Sequence, residues 1–299
     1  MQILMTGGTG LIGSRLLSRF PEGHQITVLT RNLAEAQMAL GRRARWLSSL
    51  KSLSNLDEYD AVINLAGEPI ADSRWSTEQK ERICQSRWEI TQKLVDLCQA
   101  GNNPPKVFLS GSAIGYYGRQ GDEFISEYHQ DCYDEFSHRL CKKWEEIALQ
   151  AESDSTRVCL LRTGIVLSRR GGALVKMMPA FKFGLGGPMG NGQQYMSWIH
   201  ISDMVAAILF LLEQPDCQGP YNLTAPNPVT NQEFSQILAK ALHRPCLFRM
   251  PAFVVRILFD EMSDLLLYGQ RVLPKRLQEA GFHFQHQHLD EALKSLQLR

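Results

Sequence analysis

The sequence predicts an α/β protein built on a doubly wound parallel sheet, with a smaller C-terminal lobe. Two observations lead there. Short β-rich runs alternate with helical patterns through the first half of the chain, and a glycine-spaced turn joins the first run to the first helix. The runs are QILMT, QITVLTR, DAVINLAG, KVFLSGS and TRVCLLRTGIVL, in that order. Between the third and fourth, residues 76–100 place Ile83, Trp88, Ile90, Leu94, Val95 and Leu97 at near-helical period. Gly101, Pro104 and Pro105 close that segment, which reads as a crossover helix.

After Leu167 the texture changes. The stretch SRRGGALVKMMPAFKFGLGGPMGNGQQ is glycine-rich, with a short helical patch over 173–181 followed by a loop of the kind that borders a substrate site. YMSWIHISDMVAAILFLLEQ reads as a strand leading into a helix with Ser202 or Asp203 near its start, and GPYNLTA as one more strand. Residues 230–243 predict a helix in which Thr230 and Glu233 have capping-box spacing. This divides the chain into a nucleotide domain over 1–166, to which 196–225 returns, and a substrate-binding lobe over 167–195 and 226–299.

Composition narrows the function. The 299 residues carry 32 Lys and Arg against 31 Asp and Glu, a formal charge of +1, so no field for nucleic acid or an anionic membrane is expected. Seven scattered cysteines show no metal-ligand spacing and read as reduced thiols, and no metal is expected. The longest apolar run, 204–212, is too short to span a bilayer, and the first strand starts at Gln2 or Ile3 with no leader before it. A cytoplasmic protein is expected.

Gly7, Gly10 and Gly13 sit in TGGTGLIG, between a strand and a helix at the start of the chain. Such spacing fits a dinucleotide loop. Gly7 would allow the tight turn, Gly10 close backbone approach to a diphosphate, and Gly13 close helix–sheet contact, with the helix N-terminus aimed at the phosphates. The plain alternative is a turn. At the end of the second strand, where an acid would hold a ribose 2′-hydroxyl, the chain has Thr30, Arg31 and Asn32. Arg31 can pair with a 2′-phosphate, which points to NADP; otherwise it is a solvated strand-end charge.

TGGTGLIG, NLAGE, SGSAIGYYG, WIHISDM and YNLTAPNPVTNQEF together resemble the extended short-chain dehydrogenase/reductases, the nucleotide-sugar epimerase-like group. Within it the chain is similar to the branch called "epimerase family protein", including the C-terminal stretch VLPKRLQEAGFHF. The resemblance implies a Rossmann-type fold and assigns Gly7, Thr9, Gly10, Leu11, Ile12 and Gly13 to the dinucleotide loop. It places Thr30 and Arg31 at the adenosine phosphate, Leu65 and Ala66 beside the ribose rings, Arg87 facing the cofactor, and Val166 near the nicotinamide. Glu68, on the carboxyl edge of the sheet, is a substrate contact, an acid or base, or a cap partner. Trp198 is the other candidate substrate contact, while His200 reads as structural.

One departure stands out. Active members use a tyrosine with a lysine four residues on, and none of the eight tyrosines here has that partner. Aligning on CKKWEE, with Glu145 at the family's helix glutamate, puts Ser137 at the tyrosine position and Cys141 at the lysine position. Ser112 still matches the serine that orients the reacting oxygen. Tyr116 and Tyr117 follow it and offer a phenol from another direction, or simply an aromatic wall. No neighbouring cation tunes them unless folding brings one, such as Lys176. Two functions are therefore expected to compete. The first is an NADP-dependent oxidoreductase or epimerase-like enzyme. The second is an inactive NADP(H) sensor or regulator, a role the resemblance links to cell division.

Overall fold

The computed structural model of the protein describes residues 1–41 and 44–298. Seven strands form one parallel sheet: β1 (Gln2–Thr6), β2 (Gln25–Leu29), β3 (Arg45–Leu47), β4 (Ala61–Asn64), β5 (Val107–Ala113), β6 (Arg157–Thr163) and β7 (Gly219–Leu223). Their spatial order is β7-β6-β5-β4-β1-β2-β3. The direction of winding reverses between β1 and β4, and ligands of open parallel sheets bind outside the carboxyl ends at such a reversal.

The strand pleat sorts side chains into two cores. Ile3, Met5, Ile26, Val28 and Ile63 face one side, where α1 (Leu11–Leu17) supplies Leu16 and Leu17 and a later helix, Ile201–Glu213, supplies Met204, Ile208 and Leu211. Leu4, Val62 and Phe108 face the other, against Leu94, Val95 and Cys98 of the helix Thr77–Gln99 and Ile147 and Ala148 of the helix Phe136–Leu149. Both faces are thus closed by helices. Truncating fully buried Leu94 to alanine would cost about 2–5 kcal/mol.

The expected elements fall close to their predicted limits. The crossover helix runs Thr77–Gln99, with Ser76 accepting from the Gln79 N–H, and the helix Asn231–Ala241 carries the reciprocal Thr230–Glu233 box. Two readings need correction. Arg45–Leu47 is a strand the pattern did not reveal, because it is three residues long and only half-buried. The run TRVCLLRTGIVL is two strands, broken at Gly164. There the chain packs on the Ser197 carbonyl, leaving β6 so that Ile165–Leu167 pairs with Trp198–His200.

That break starts the second lobe. Its core joins Leu174 and Phe181 of the helix Ala173–Lys182, Phe234 and Leu238 of Asn231–Ala241, and Leu289 and Leu293 of Leu289–Ser295. The helix Ile201–Glu213 and β7 run back onto the main sheet. Trp198 lies fully buried in the lobe core, with its indole N–H donating to the Asn227 carbonyl, so it is packing and not the substrate contact the sequence suggested.

Candidate active site

The turn after β1 packs directly on the end of β4. Gly7 has φ +68°, and a Cβ there would strike the Leu65 carbonyl and lie 2.9 Å from the Ala66 nitrogen. Thr6 ties the two strand ends together: its hydroxyl donates to Asn64 Oδ1 at 2.7 Å and accepts from the Ala66 N–H at 3.1 Å. Gly13 is needed for a different contact from the one its spacing suggested. Its Cβ would collide with the Gly7 carbonyl and lie 2.7 Å from Gly8 Cα, so it seats α1 against the loop itself and not against the sheet.

Gly10 is the open position. An added Cβ would meet only the Gly7 carbonyl, at 3.2 Å, and Gly10 caps α1 without a side-chain acceptor for the first-turn N–H groups. A cradle of backbone donors with space above it fits a diphosphate. Thr9 and Gly10 are exposed, Leu11 and Ile12 half-buried. At the end of β2, Thr30 is buried and accepts from the Asn32 N–H, while Arg31 projects into solvent with no hydrogen bond or ion pair among the described residues. Val166 lies opposite Ile199 and packs where the two lobe cores meet, beside Ile12.

Arg87 braces the loop after β4. Its Nη1 donates to the Ile83 carbonyl and Nη2 to the Glu68 carbonyl, both at 2.9 Å, and its guanidinium lies 5.3 Å from the Trp144 ring centroid. Burial lowers its pKa, an effect that neighbouring Cys141, Cys84 and Glu68 oppose. A Cβ on Gly67 would stand 2.9 Å from Arg87 Cζ. Arg87 therefore acts on the shape of the loop, and with it on where Leu65, Ala66 and the half-buried Glu68 stand.

The region expected to hold the proton relay is built differently. Ser137 and Cys141 are both buried, and Gly115 packs over them: its Cβ would lie 3.0 Å from Ser137 Cβ and 3.8 Å from Cys141 Sγ. Burial pushes the Cys141 thiol up to about 12. Neither side chain opens to the crevice. Ser112, at 5% exposure, donates its hydroxyl proton to Glu145 Oε1 at 2.6 Å.

Glu145 in turn grips Arg162, a residue the sequence analysis did not single out. Arg162 Nε donates to Oε1 at 2.9 Å and Nη2 to Oε2 at 2.8 Å, with both side chains 5% exposed. The remaining Nη1 donates to the Tyr117 hydroxyl at 3.0 Å, and that hydroxyl donates to Asn222 Oδ1 at 2.8 Å. Tyr117 is fully buried and its pKa is raised by burial to about 12. Its phenol is committed to the interior, so the expectation of Tyr117 as a catalytic group is corrected. The signal for Arg162 was present: an arginine inside the apolar strand VCLLRTG must find an acid indoors.

Tyr116 is the group left at the surface of this network. It is half-buried, and Arg162 Cζ lies 3.5 Å from its ring centroid. Burial raises its pKa, with the nearby Arg162 cation opposing the rise. Folding thus brings a cation to the phenol, though it is Arg162. Lys176 is exposed and pairs with Asp72.

A sequence profile of the NAD dependent epimerase/dehydratase family matches residues 3–224, and one described as a domain of unknown function (DUF1731) matches 250–296. The chain belongs to the NAD dependent epimerase/dehydratase family. Among relatives in this family, the Arabidopsis thaliana "Epimerase family protein SDR39U1 homolog, chloroplastic" is 38% identical over 99% of this chain and 86% of its own length. An epimerase family protein of Staphylococcus aureus (strain MRSA252) is also 38% identical, over 99% of this chain and 98% of its own. The crystal structure of human epimerase family protein SDR39U1 (isoform2) with NADPH superposes with a TM-score of 0.91 at 34% identity, covering 99% of both chains. The epimerase-family match ends with β7, so most of the second lobe lies in the part matched by DUF1731 or between the two. Among the described residues no helix is long and apolar enough to cross a membrane.

Proposed function

We propose that the chain is a cytoplasmic NADP(H)-dependent oxidoreductase that reduces a carbonyl group in a small or sugar-like substrate, with Tyr116 as the proton donor. The carrying observation is the placement of Tyr116 over Arg162 while Ser137 and Cys141 are buried. Bound NADPH supplies a hydride. The chain supplies the rest: Gly7 to Gly13 receive the diphosphate, unpaired Arg31 favours a 2′-phosphate, and Leu65, Ala66 and Val166 line the path toward the reacting end. Arg87 holds the loop that presents Glu68 to the substrate. The human relative crystallised with NADPH supports the choice of cofactor.

The direction follows from acidity. A phenol with an ordinary pKa near 10, raised further by burial, keeps its proton at neutral pH. It donates readily and abstracts poorly, which favours reduction over a step that begins by deprotonating an alcohol. Ser112 serves as a positioning residue: its proton is directed at Glu145, so it steadies the carboxylate that fixes Arg162 under Tyr116.

A second reading is a dinucleotide-binding sensor without redox chemistry, and the same burial of the helix positions and commitment of Ser112 favour it. Fluorescence titration with NADPH and NADH, followed by a panel of aldehydes, ketones and nucleotide sugars, separates the two. Tighter NADPH binding with oxidation by at least one carbonyl compound supports the enzyme. Tight binding with no turnover across the panel replaces it with the sensor, and absence of binding removes both.

A further inference from the structure

Charge is balanced over the whole chain but not along it. Between Glu233 and Asp260 there is no Asp or Glu, and between Asp154 and Asp203 there is none either. Parts of these two acid-free stretches meet on the outside of the second lobe. Phe181 is buried there with Gly186 packed on its ring, while Phe183 and Leu185 between them stand exposed. Residues 187–190 then run beside 248–250: the Gly190 N–H donates to the Met250 carbonyl and the Met250 N–H to the Pro188 carbonyl, each at 2.9 Å. The helix Ala252–Phe259 follows at once. Its Val255 is buried, which turns Phe253, Arg256 and Ile257, spaced i, i+3 and i+4, to the outside.

The exposed surface of this region is apolar to an unusual degree. Phe183 and Leu247 are each 81% exposed, Ile257 71% and Phe253 63%, with Leu185 and Phe248 more than half exposed. At about 200 Å² per large side chain, these six leave on the order of 800 Å² of apolar surface, above the roughly 300–600 Å² of the largest patch on a typical monomer. Cations are set among them. Lys182, Arg244, Arg249 and Arg256 are exposed and form no ion pair among the described residues, and Arg249 donates only to the Gln232 amide oxygen. Of the acids that follow the helix, Glu261 pairs with Lys80 and Asp264 with Arg119, which leaves Asp260.

We infer that this face docks on an anionic lipid bilayer, with its aromatic and aliphatic side chains entering the acyl boundary and Lys182, Arg244, Arg249 and Arg256 meeting headgroup phosphates. Stable attachment of this kind needs both an apolar and a basic element, and both are present on one face. The overall charge of +1 does not oppose it, because attraction to a charged bilayer falls off within a Debye length and is decided by the cations nearest the surface. Those cations also select the occupant. A symmetric contact with a second copy would set the same four cations against themselves, whereas anionic headgroups neutralise them. The inference goes beyond the proposed activity, which uses none of these residues.

The test is flotation of the full chain with vesicles of phosphatidylcholine alone and of phosphatidylcholine with phosphatidylserine at 3:1. The chain should float with the serine-lipid vesicles at low salt and stay behind with the neutral ones. Arg249→Gln/Arg256→Gln should weaken partitioning about tenfold or more, as should Phe253→Ser/Ile257→Ser, while Met38→Ser, at a lone side chain that is 89% exposed, should leave it unchanged. The substituted side chains are all exposed, so circular dichroism should match that of the unmutated protein. Failure of the unmutated chain to float, equal flotation with neutral vesicles, or indifference to both double substitutions would overturn the inference. A dimer in sedimentation velocity that Phe253→Ser/Ile257→Ser dissociates would assign the face to a second copy and overturn it too. None of these readings requires cofactor or turnover, so they stand or fall apart from the proposed activity.

Discussion

Two neighbouring places on the sheet's carboxyl edge treat space in opposite ways. Where β1 and β4 meet, the backbone is held open: Gly7 and Gly13 are locked by contacts that forbid a side chain, while Gly10 faces almost nothing. Where β5 and β6 meet, the interior is filled, and Ser112, Glu145, Arg162, Tyr117 and Asn222 satisfy one another with little exposure. The first arrangement leaves space beside the backbone N–H groups of a helix start, which suits the diphosphate site proposed above. The second converts a neighbourhood that the family resemblance associates with proton transfer into a support, leaving Tyr116 at its edge. The two regions are joined through Asn64, Thr91 and Trp144, with Asn64 Nδ2 and the Trp144 indole N–H both donating to the Thr91 hydroxyl.

Breaking the filled end should have the largest effect. Arg162→Leu strands the buried Glu145 carboxylate and should destabilise the fold by about 3–5 kcal/mol in urea denaturation, with Arg162→Leu/Glu145→Leu recovering much of the loss. At the open end, Gly10→Val should leave the unfolding free energy from urea denaturation within about 1 kcal/mol, since its backbone is extended at φ −72° and ψ 177°. The same variant should lose NADPH binding by about a hundredfold or more in fluorescence titration, because the side chain occupies the phosphate's space. A Gly10→Val protein that binds normally would reduce the loop to a turn. Arg31→Ala should have a smaller effect, removing a charge-assisted contact of about 1.5–3 kcal/mol from NADPH and leaving NADH unaffected. Equal affinities for the two cofactors before substitution would show that Arg31 plays no part.

How much of this was legible depends on whether a constraint is local. The glycine loop could be read because its backbone needs fall on residues three apart. The helices Thr77–Gln99 and Asn231–Ala241 announced themselves through period and caps. Ser137 and Cys141 marked a missing relay, but not their burial beneath Gly115, which depends on how a turn after β5 settles on a helix. Arg162 lies 17 positions from Glu145 and 45 from Tyr117, so only the fold makes them a network. Trp198 and Tyr117 were misplaced for the same reason: their aromatic character suits a site wall and a core equally, and sequence does not record which side faces water.

On the proposed reading, proton transfer lies at Tyr116 and not on the helix Phe136–Leu149. With a carbonyl substrate found in the panel, the decisive measurement is single-turnover NADPH oxidation by Tyr116→Phe and Ser137→Ala, followed from pH 6 to 9. Tyr116→Phe should lose about 10²–10⁴-fold in rate while still binding NADPH, Ser137→Ala should stay within about twofold, and the unmutated protein should be level across this range because its phenol remains protonated. Loss of activity in Ser137→Ala with retention in Tyr116→Phe would contradict it and return the chemistry to the helix.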